Sequence, residues 1–146
     1  MEVELIYDMA GNRLRRIGDV EIGYDMAGNR PQTLGHLELD YDMAGNRLRR
    51  VGADQIEYDM LGSRPSRVGN LDIEYDMMGS RLRRIGDLGI DYDMAGNRVR
   101  RIGDLTVEYD MLGSRPRYLR ADGESEMDEQ MGVIVFLVLV AFDRDD

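Results

Sequence analysis

The sequence predicts an all-β protein with one C-terminal helix, and three of its features carry that prediction. A unit of 17 residues occurs seven times in tandem without insertion or deletion. Apolar and polar residues alternate within each unit, as they do in half-buried strands. A short, wholly apolar segment follows the last unit. We therefore expect seven tandem β-hairpins, or about 14 short strands, closed into an antiparallel meander around an apolar C-terminal helix.

Each unit is marked by a Tyr-Asp-Met triplet, with a Gly two residues after the Met and an Arg two residues after that Gly. Fixed spacing of this kind is typical of repeat architectures, in which each copy forms one supersecondary unit. The triplets begin at Tyr7, Tyr24, Tyr41, Tyr58, Tyr75, Tyr92 and Tyr109.

Two turns are predicted in each unit. The first comprises residues 8–11, where Asp8 accepts a backbone hydrogen bond and Gly11 supplies a left-handed residue that closes a three-residue hairpin loop. The second is the pair Gly18-Asp19, which fits the primed turns that match the twist of paired strands. Since both turns join antiparallel strands, each unit contributes two strands.

These turns fix a register. The first turn pairs Asp8 with Asn12 and therefore Val3 with Ile17, and the second pairs Ile17 with Val20. The buried face then carries Val3, Leu5, Tyr7, Ile17, Val20, Ile22 and Tyr24. On the opposite face Glu21 lies across from Arg16, which predicts a cross-strand ion pair in several units.

Two positions do not fit this pattern. Asp54 stands where the other copies are apolar. In addition, one row of apolar residues falls on the charged face. Either a bulge at Arg15-Arg16 turns this row inward, or the hairpin tips flare apart. A third interpretation is that the row forms an exposed ridge that binds a partner. We favour the bulge. The row consists of Leu14, Pro31, Leu48, Pro65, Leu82, Val99 and Pro116.

The Tyr-Asp pair, the Gly four residues after the Tyr and the Arg-Leu that follows resemble the Tyr-Asp (YD) repeat of RHS-type shell proteins. The resemblance covers residues 3–120, with a shorter and more uniform period than in that family. It implies a hairpin architecture. It does not imply toxin delivery, because residues 1–146 contain neither the autoproteolytic nor the toxin segment of that family.

The sequence divides into a sevenfold repeat (1–120), an acidic linker and helix start (121–131) and an apolar segment (132–146). The run Val133 to Phe142 is apolar at every position, so it must be buried on all sides or lie in a membrane, and it is too short to span a bilayer. Asp122 and Ser125 resemble a helix start, whereas the many valines favour a strand. We expect a helix.

The size of the ring favours a plugged barrel. Fourteen strands spaced about 4.8 Å apart close without tilt into a ring about 21 Å across, which leaves a hole about the width of one helix. The alternatives are a parallel β-solenoid and an open hairpin spiral capped by the tail. The solenoid would stack Arg13, Arg30 and Arg47 directly above one another, and such like-charge contacts are unfavourable.

No set of residues predicts catalysis, and we expect no enzyme activity, no cofactor and no metal site. His36, the single His, occupies a turn position and is interpreted as a solvated turn residue. Asp8 and its six equivalents offer too few oxygens for calcium and are explained as turn formers. We interpret the methionines equivalent to Met9 as packing residues, and the Tyr opposite Arg13 as a structural cation–π contact.

The formal net charge of -10 argues against nucleic acid and acidic membranes as partners. All basic residues are Arg, and Cys is absent, which leaves the redox compartment open. The N-terminus carries no secretory signal, and we expect a cytoplasmic protein. The sequence favours a non-enzymatic structural or protein-interaction module. Its partners would be proteins or further copies of itself, bound through the Met and Arg rows or the row of Leu14. The alternative is a membrane- or lipid-associated protein that uses the apolar C-terminal segment.

Overall fold

A computed structural model describes residues 1–8, 13–26, 30–42, 47–59, 64–76, 81–93, 98–111, 115–123 and 127–142. Within them, fourteen antiparallel strands form a closed barrel, and a single helical segment follows at the C-terminus. The predicted all-β class, the closed meander and the C-terminal helix are confirmed. The described strands form neither a parallel solenoid nor an open spiral.

The strands follow one another around the barrel in chain order, and the ring closes where the first strand pairs with the last. In order they are β1 (Glu2–Tyr7), β2 (Leu14–Ile17), β3 (Val20–Tyr24), β4 (Pro31–Leu34), β5 (Leu37–Tyr41), β6 (Leu48–Val51), β7 (Asp54–Tyr58), β8 (Pro65–Val68), β9 (Leu71–Tyr75), β10 (Leu82–Ile85), β11 (Leu88–Tyr92), β12 (Val99–Ile102), β13 (Leu105–Tyr109) and β14 (Pro116–Arg120).

The barrel has two different ends. At the turn end lie the two-residue turns such as Gly18-Asp19, which join β2 to β3 and its equivalents. Gly18 has a φ of 59°, while no described non-Gly residue has a positive φ, which is the sign pattern of a type II′ turn. At the loop end lie Tyr7 and its equivalents and the longer loops that follow them. The interior of the first predicted turn, residues 9–12, lies outside the described residues.

The predicted register of the first hairpin is wrong by two residues, because Ile17 pairs with Leu5 and not with Val3. One residue of the difference comes from the loop, whose mouth is closed by a hydrogen bond from the Asp8 N–H to the Arg13 carbonyl. The other comes from a β-bulge at Arg15. Side chains alternate between the two faces of a strand, so a register shift of two residues leaves every side chain on its predicted face.

The bulge resolves the row that did not fit the pattern. Tyr7 pairs with Leu14 while Ile6 pairs with Arg16, so Arg15 is the extra residue and Leu14 turns inward. Leu14, Leu48 and Leu82 are buried, and the other members of that row are half-buried. The favoured prediction of a bulge is therefore confirmed.

The register also sets the width of the barrel. Leu5 pairs with Ile17, and Ile17 pairs with Val20 on the next strand. The counterpart of Leu5 in the second unit is Ile22, so pairing across two strands arrives two residues before the equivalent position. A stagger of two residues per two strands corresponds to a strand tilt of about 36°, as in other barrels whose shear equals their strand number. This tilt widens the ring from the untilted estimate of about 21 Å to roughly 26 Å.

The outer wall carries the charged residues, and Arg16 lies opposite Glu21 as predicted. Of the equivalent pairs, Arg67 lies 3.9 Å from Asp72, whereas Arg50 pairs with Asp40 of the preceding hairpin strand at 2.8 Å. The predicted ion pair is thus not a uniform feature of the units. Because these groups are largely exposed, each pair contributes little to stability.

The interior is built from two complete rings of apolar side chains, both buried. One ring consists of Leu5, Ile22, Leu39, Ile56, Ile73, Ile90 and Val107, and the other of Ile17, Leu34, Val51, Val68, Ile85, Ile102 and Leu119. The apolar C-terminal segment belongs to the same buried cluster. Asp54 is exposed at the turn end, in a row whose other members are buried or half-buried.

The C-terminal segment forms helix α1 (Glu129–Phe136), which continues as a π-helical turn over Leu137–Ala141. Seven consecutive residues, 132–138, are buried, and a helix can be buried on every side only if it is surrounded. The helix therefore lies inside the barrel, and we call residues 127–142 the plug. No part of the described chain forms a helix long and apolar enough to cross a membrane.

The plug enters the barrel from the turn end. Strand β14 ends there at Arg120, and the next residue, Ala121, donates its N–H to the carbonyl of Met1. The chain that leads to the plug therefore leaves the barrel wall at the turn end. The helix begins later than predicted. Its N-cap is Asp128, whose carboxylate accepts a hydrogen bond of 2.8 Å from the Met131 N–H, whereas Asp122 precedes the helix and Ser125 lies outside the described residues.

Candidate functional site

The residues that define the repeat meet at the loop end, where three of them form one contact group in each unit. In the first unit Arg13 donates through Nε to Asp8, at 2.8 Å, across the mouth of the loop. Its guanidinium lies over the ring of Tyr24, with 4.3 Å from Cζ to the ring centroid. The Tyr24 hydroxyl donates to the Leu14 carbonyl at 2.7 Å. Each group therefore ties one unit to the next.

This group occurs seven times and closes on itself. The Arg–Asp distances are 2.8–3.7 Å, the Arg–Tyr centroid distances 4.3–4.7 Å and the Tyr hydroxyl bonds 2.6–2.9 Å. The last guanidinium, Arg115, lies over Tyr7 of the first unit. We call these 21 residues the belt. Its members are Asp8, Asp25, Asp42, Asp59, Asp76, Asp93 and Asp110, with Arg13, Arg30, Arg47, Arg64, Arg81, Arg98 and Arg115 and the seven triplet tyrosines.

The cation–π contact was predicted between Arg13 and the Tyr opposite it in its own hairpin. That partner is wrong, since Arg13 contacts Tyr24 and Tyr7 is covered by Arg115. The physical reason is the seam between β2 and β3, where pairing covers only Arg16 with Glu21 and Ile17 with Val20. Towards the loop end these two strands separate, and the Tyr and Arg side chains bridge the space between them.

The belt tyrosines act as hydrogen-bond donors that hold neighbouring units together. Burial is the main cause that raises the pKa of Tyr24 and Tyr41, and it raises the pKa of Tyr75 to about 12. The guanidinium above each ring opposes this rise without cancelling it. The phenols are therefore neutral hydrogen-bond donors near neutral pH and are not poised to act as bases.

Two shallow grooves lie beside the belt, each of about 340 Å³. The first is lined by Arg30, Gln32, Asp40 and Tyr41 among others, and the second by the corresponding residues three units later, including Arg81 and Tyr92. Their Asp and Arg side chains take part in the ion pairs of the belt and of the outer wall. The grooves follow the separated seams between units.

The loops beyond the belt carry the most exposed apolar side chains of the described chain. Met26 and Met111 are exposed to 105% and 100%. The packing role predicted for the loop methionines is wrong at these two positions. Met9, Met43, Met60, Met77 and Met94, which occupy the same place in the repeat, lie outside the described residues.

Asp8 and its equivalents were predicted to be turn formers and not calcium ligands. Their carboxylates lie in ion pairs with the belt arginines. Among the described residues, His, Asp and Glu nowhere gather in threes in a way that could hold a metal ion. His36 lies in the turn between β4 and β5, and its Nε2 is 2.7 Å from a carboxylate oxygen of Glu129 in the plug. Sequence reasoning missed this contact, because no pattern relates one turn residue to the start of the helix.

The two ends differ in charge. At the loop end seven Asp are matched by seven Arg in direct contact. At the turn end, exposed or half-exposed acidic residues surround the entrance of the plug. They are Asp19, Asp54, Asp87, Asp104, Asp122, Asp128 and Glu129. The excess negative charge of the described chain therefore gathers at the turn end.

The chain matches no family model, no curated protein and no solved structure.

Proposed function

We propose that the protein is a non-enzymatic structural module that makes protein contacts through its loop end. The observation that carries this proposal is that the conspicuous chemistry of the repeat is used within the fold. The belt residues bind one another, and the apolar segment fills the barrel. Two loop methionines, Met26 and Met111, are the apolar side chains of the described chain that remain fully exposed at the surface.

A second copy of the chain is the partner that the charge distribution favours. Two turn ends repel each other, because both are acidic. Two loop ends do not, because their carboxylates are neutralised by the belt arginines. Exposed methionines are flexible and polarisable, and they suit apolar contacts between surfaces that need not fit closely. We infer that copies associate through their loop ends.

Sedimentation of the whole chain over a range of concentrations tests this proposal. We expect reversible dimers, and we expect the double variant Met26→Gln/Met111→Gln to dimerise less, because Gln has a similar size and is polar. The matched control is Gln55→Ala/Gln130→Ala, which changes two exposed residues away from the loop end and should leave association unchanged. A strictly monomeric protein, or equal effects of the two double variants, would contradict a loop-end contact.

The alternative proposal is a membrane- or lipid-associated protein that uses the apolar C-terminal segment. It requires the plug to leave the barrel, which would expose the two apolar rings and the apolar face of the helix to water. Flotation of the whole chain with zwitterionic lipid vesicles decides between the two proposals. Binding that disappears in Leu139→Asp, a change at a partly buried position of the same segment, but not in the double variant of the loop methionines, would favour the membrane role.

A further inference from the structure

We propose that Met26 and Met111 are selective sites of reversible oxidation, which a peroxide can modify while the barrel remains folded. The chain has 11 Met and no Cys, so Met is the only sulfur-containing residue available to such an oxidant. Two described methionines, Met26 and Met111, are fully exposed. This inference does not depend on the proposed self-association.

The remaining described methionines have different surroundings. Met1, Met127 and Met131 are partly buried and pack against the core. Met131 donates its backbone N–H to the N-cap Asp128, and the Met127 side chain reaches to within 3.8 Å of where a Cβ on Gly132 would lie. The partial burial of both side chains against the core restricts the approach of an oxidant to the two sulfurs of the plug.

The reaction is transfer of one oxygen atom. The thioether sulfur attacks one oxygen of hydrogen peroxide, the O–O bond breaks, an S–O bond forms, and the departing hydroxide takes up a proton to leave as water. Sulfur is oxidised by two electrons and the peroxide is reduced by two. The sulfoxide is neutral and polar. Methionine sulfoxide reductases reduce it back to the thioether with two electrons from a thiol reductant, and the oxygen leaves as water.

The structural consequence depends on location. A sulfoxide at Met26 or Met111 lies in water and removes no packing contact, so the fold should tolerate it. A sulfoxide at Met127 or Met131 would place a polar group against the apolar plug and disturb its packing. The protein thus separates methionines that can be oxidised harmlessly from methionines whose oxidation would damage it.

A time course with hydrogen peroxide on the whole folded chain tests the inference. Digestion and mass spectrometry report the oxygen gained at each Met, and thermal melting of the same samples reports the fold. We expect Met26 and Met111 to be oxidised several-fold faster than Met127 and Met131, with the melting temperature unchanged until the slower sites react. Treatment with methionine sulfoxide reductases and a thiol reductant should then return the two loop sites to their original mass.

Two controls make the result specific. In unfolding concentrations of urea all four sites should react at similar rates, since the difference comes from the fold. In Met26→Leu/Met111→Leu the first phase of oxygen uptake should shrink, while Met127 and Met131 react as before. Equal rates at the four sites in the folded protein would overturn the inference, as would a melting temperature that falls in step with oxidation of Met26 and Met111.

Discussion

The barrel and the plug are stabilised in different ways. The barrel is held by directional contacts repeated around a ring, since each unit contributes backbone hydrogen bonds, an Arg–Asp pair, an Arg–Tyr stack and a Tyr hydroxyl bond. The plug has an Asp128 cap and one exposed contact with His36, and it is otherwise held by apolar packing. The ring therefore fixes the shape of the cavity, and the plug fills it.

The largest effect is expected from a charge in the plug. Leu137 is fully buried, and Leu137→Asp places a carboxylate without a partner among the two apolar rings. We expect a loss of more than about 4 kcal/mol in the free energy of unfolding, enough to abolish cooperative melting. Leu139→Asp is the matched control, because Leu139 is only partly buried and should cost clearly less. If both variants melt like the parent, the barrel does not need its plug.

An intermediate effect is expected at the turns of the ring. Gly52 and Gly35 both have positive φ, which costs a residue with a β-carbon about 1–2 kcal/mol. A Cβ at Gly52 would also lie 2.8 Å from the Leu37 Cδ2, whereas at Gly35 the nearest atom, on Val20, is 3.4 Å away. Gly52→Ala should therefore lower the melting temperature more than Gly35→Ala.

The control for this series is Gly89→Ala on the outer wall, where a Cβ meets nothing within 4 Å. It should be neutral or slightly stabilising, because it reduces the freedom of the unfolded chain. A destabilisation there equal to that at Gly52 would show that the turn geometry is not the cause.

The smallest effect concerns the belt and depends on pH. Folding raises the pKa of Tyr75 from its ordinary value of 10.0 to about 12, so its contribution to stability is complete below pH 10 and is lost as the pH rises through about 12. Tyr75→Phe removes the hydroxyl bond to the Pro65 carbonyl, at a cost of about 1 kcal/mol near neutral pH.

Melting curves of the parent and of Tyr75→Phe from pH 8 to pH 12 check this prediction. The difference between them should shrink above pH 10, since the variant has no phenol to ionise at that position. A difference that stays constant with pH would mean that the Tyr75 hydroxyl is not buried by folding.

Periodicity made most of the barrel predictable, because two turns per unit and alternating residues determine strands, faces and strand number. The register was not predictable to the residue. The loop that begins at Asp8 is one residue longer than a standard three-residue hairpin loop, and Arg15 adds a bulge. Both features depend on backbone geometry that the residue types do not indicate. The helical plug was inferred from the space inside the ring, against the strand preference of its valines.

The belt was only half predictable. A Tyr and an Arg at fixed places in every unit indicate a contact, but identical copies cannot show whether Arg13 reaches Tyr7 or Tyr24. The separated seam between β2 and β3 decides that question. The contact of His36 with Glu129 joins two segments that share no repeat, so the sequence carries no signal for it.

Native-state hydrogen exchange of the whole chain tests most directly the central claim, that the C-terminal segment is the interior of the barrel. The amides of Val135, Phe136 and Leu137 should exchange only through global unfolding, with the same protection as those of the strand residues Ile17 and Ile102. Exchange of these plug amides much faster than the strand amides, in protein that remains folded, would contradict the plugged barrel.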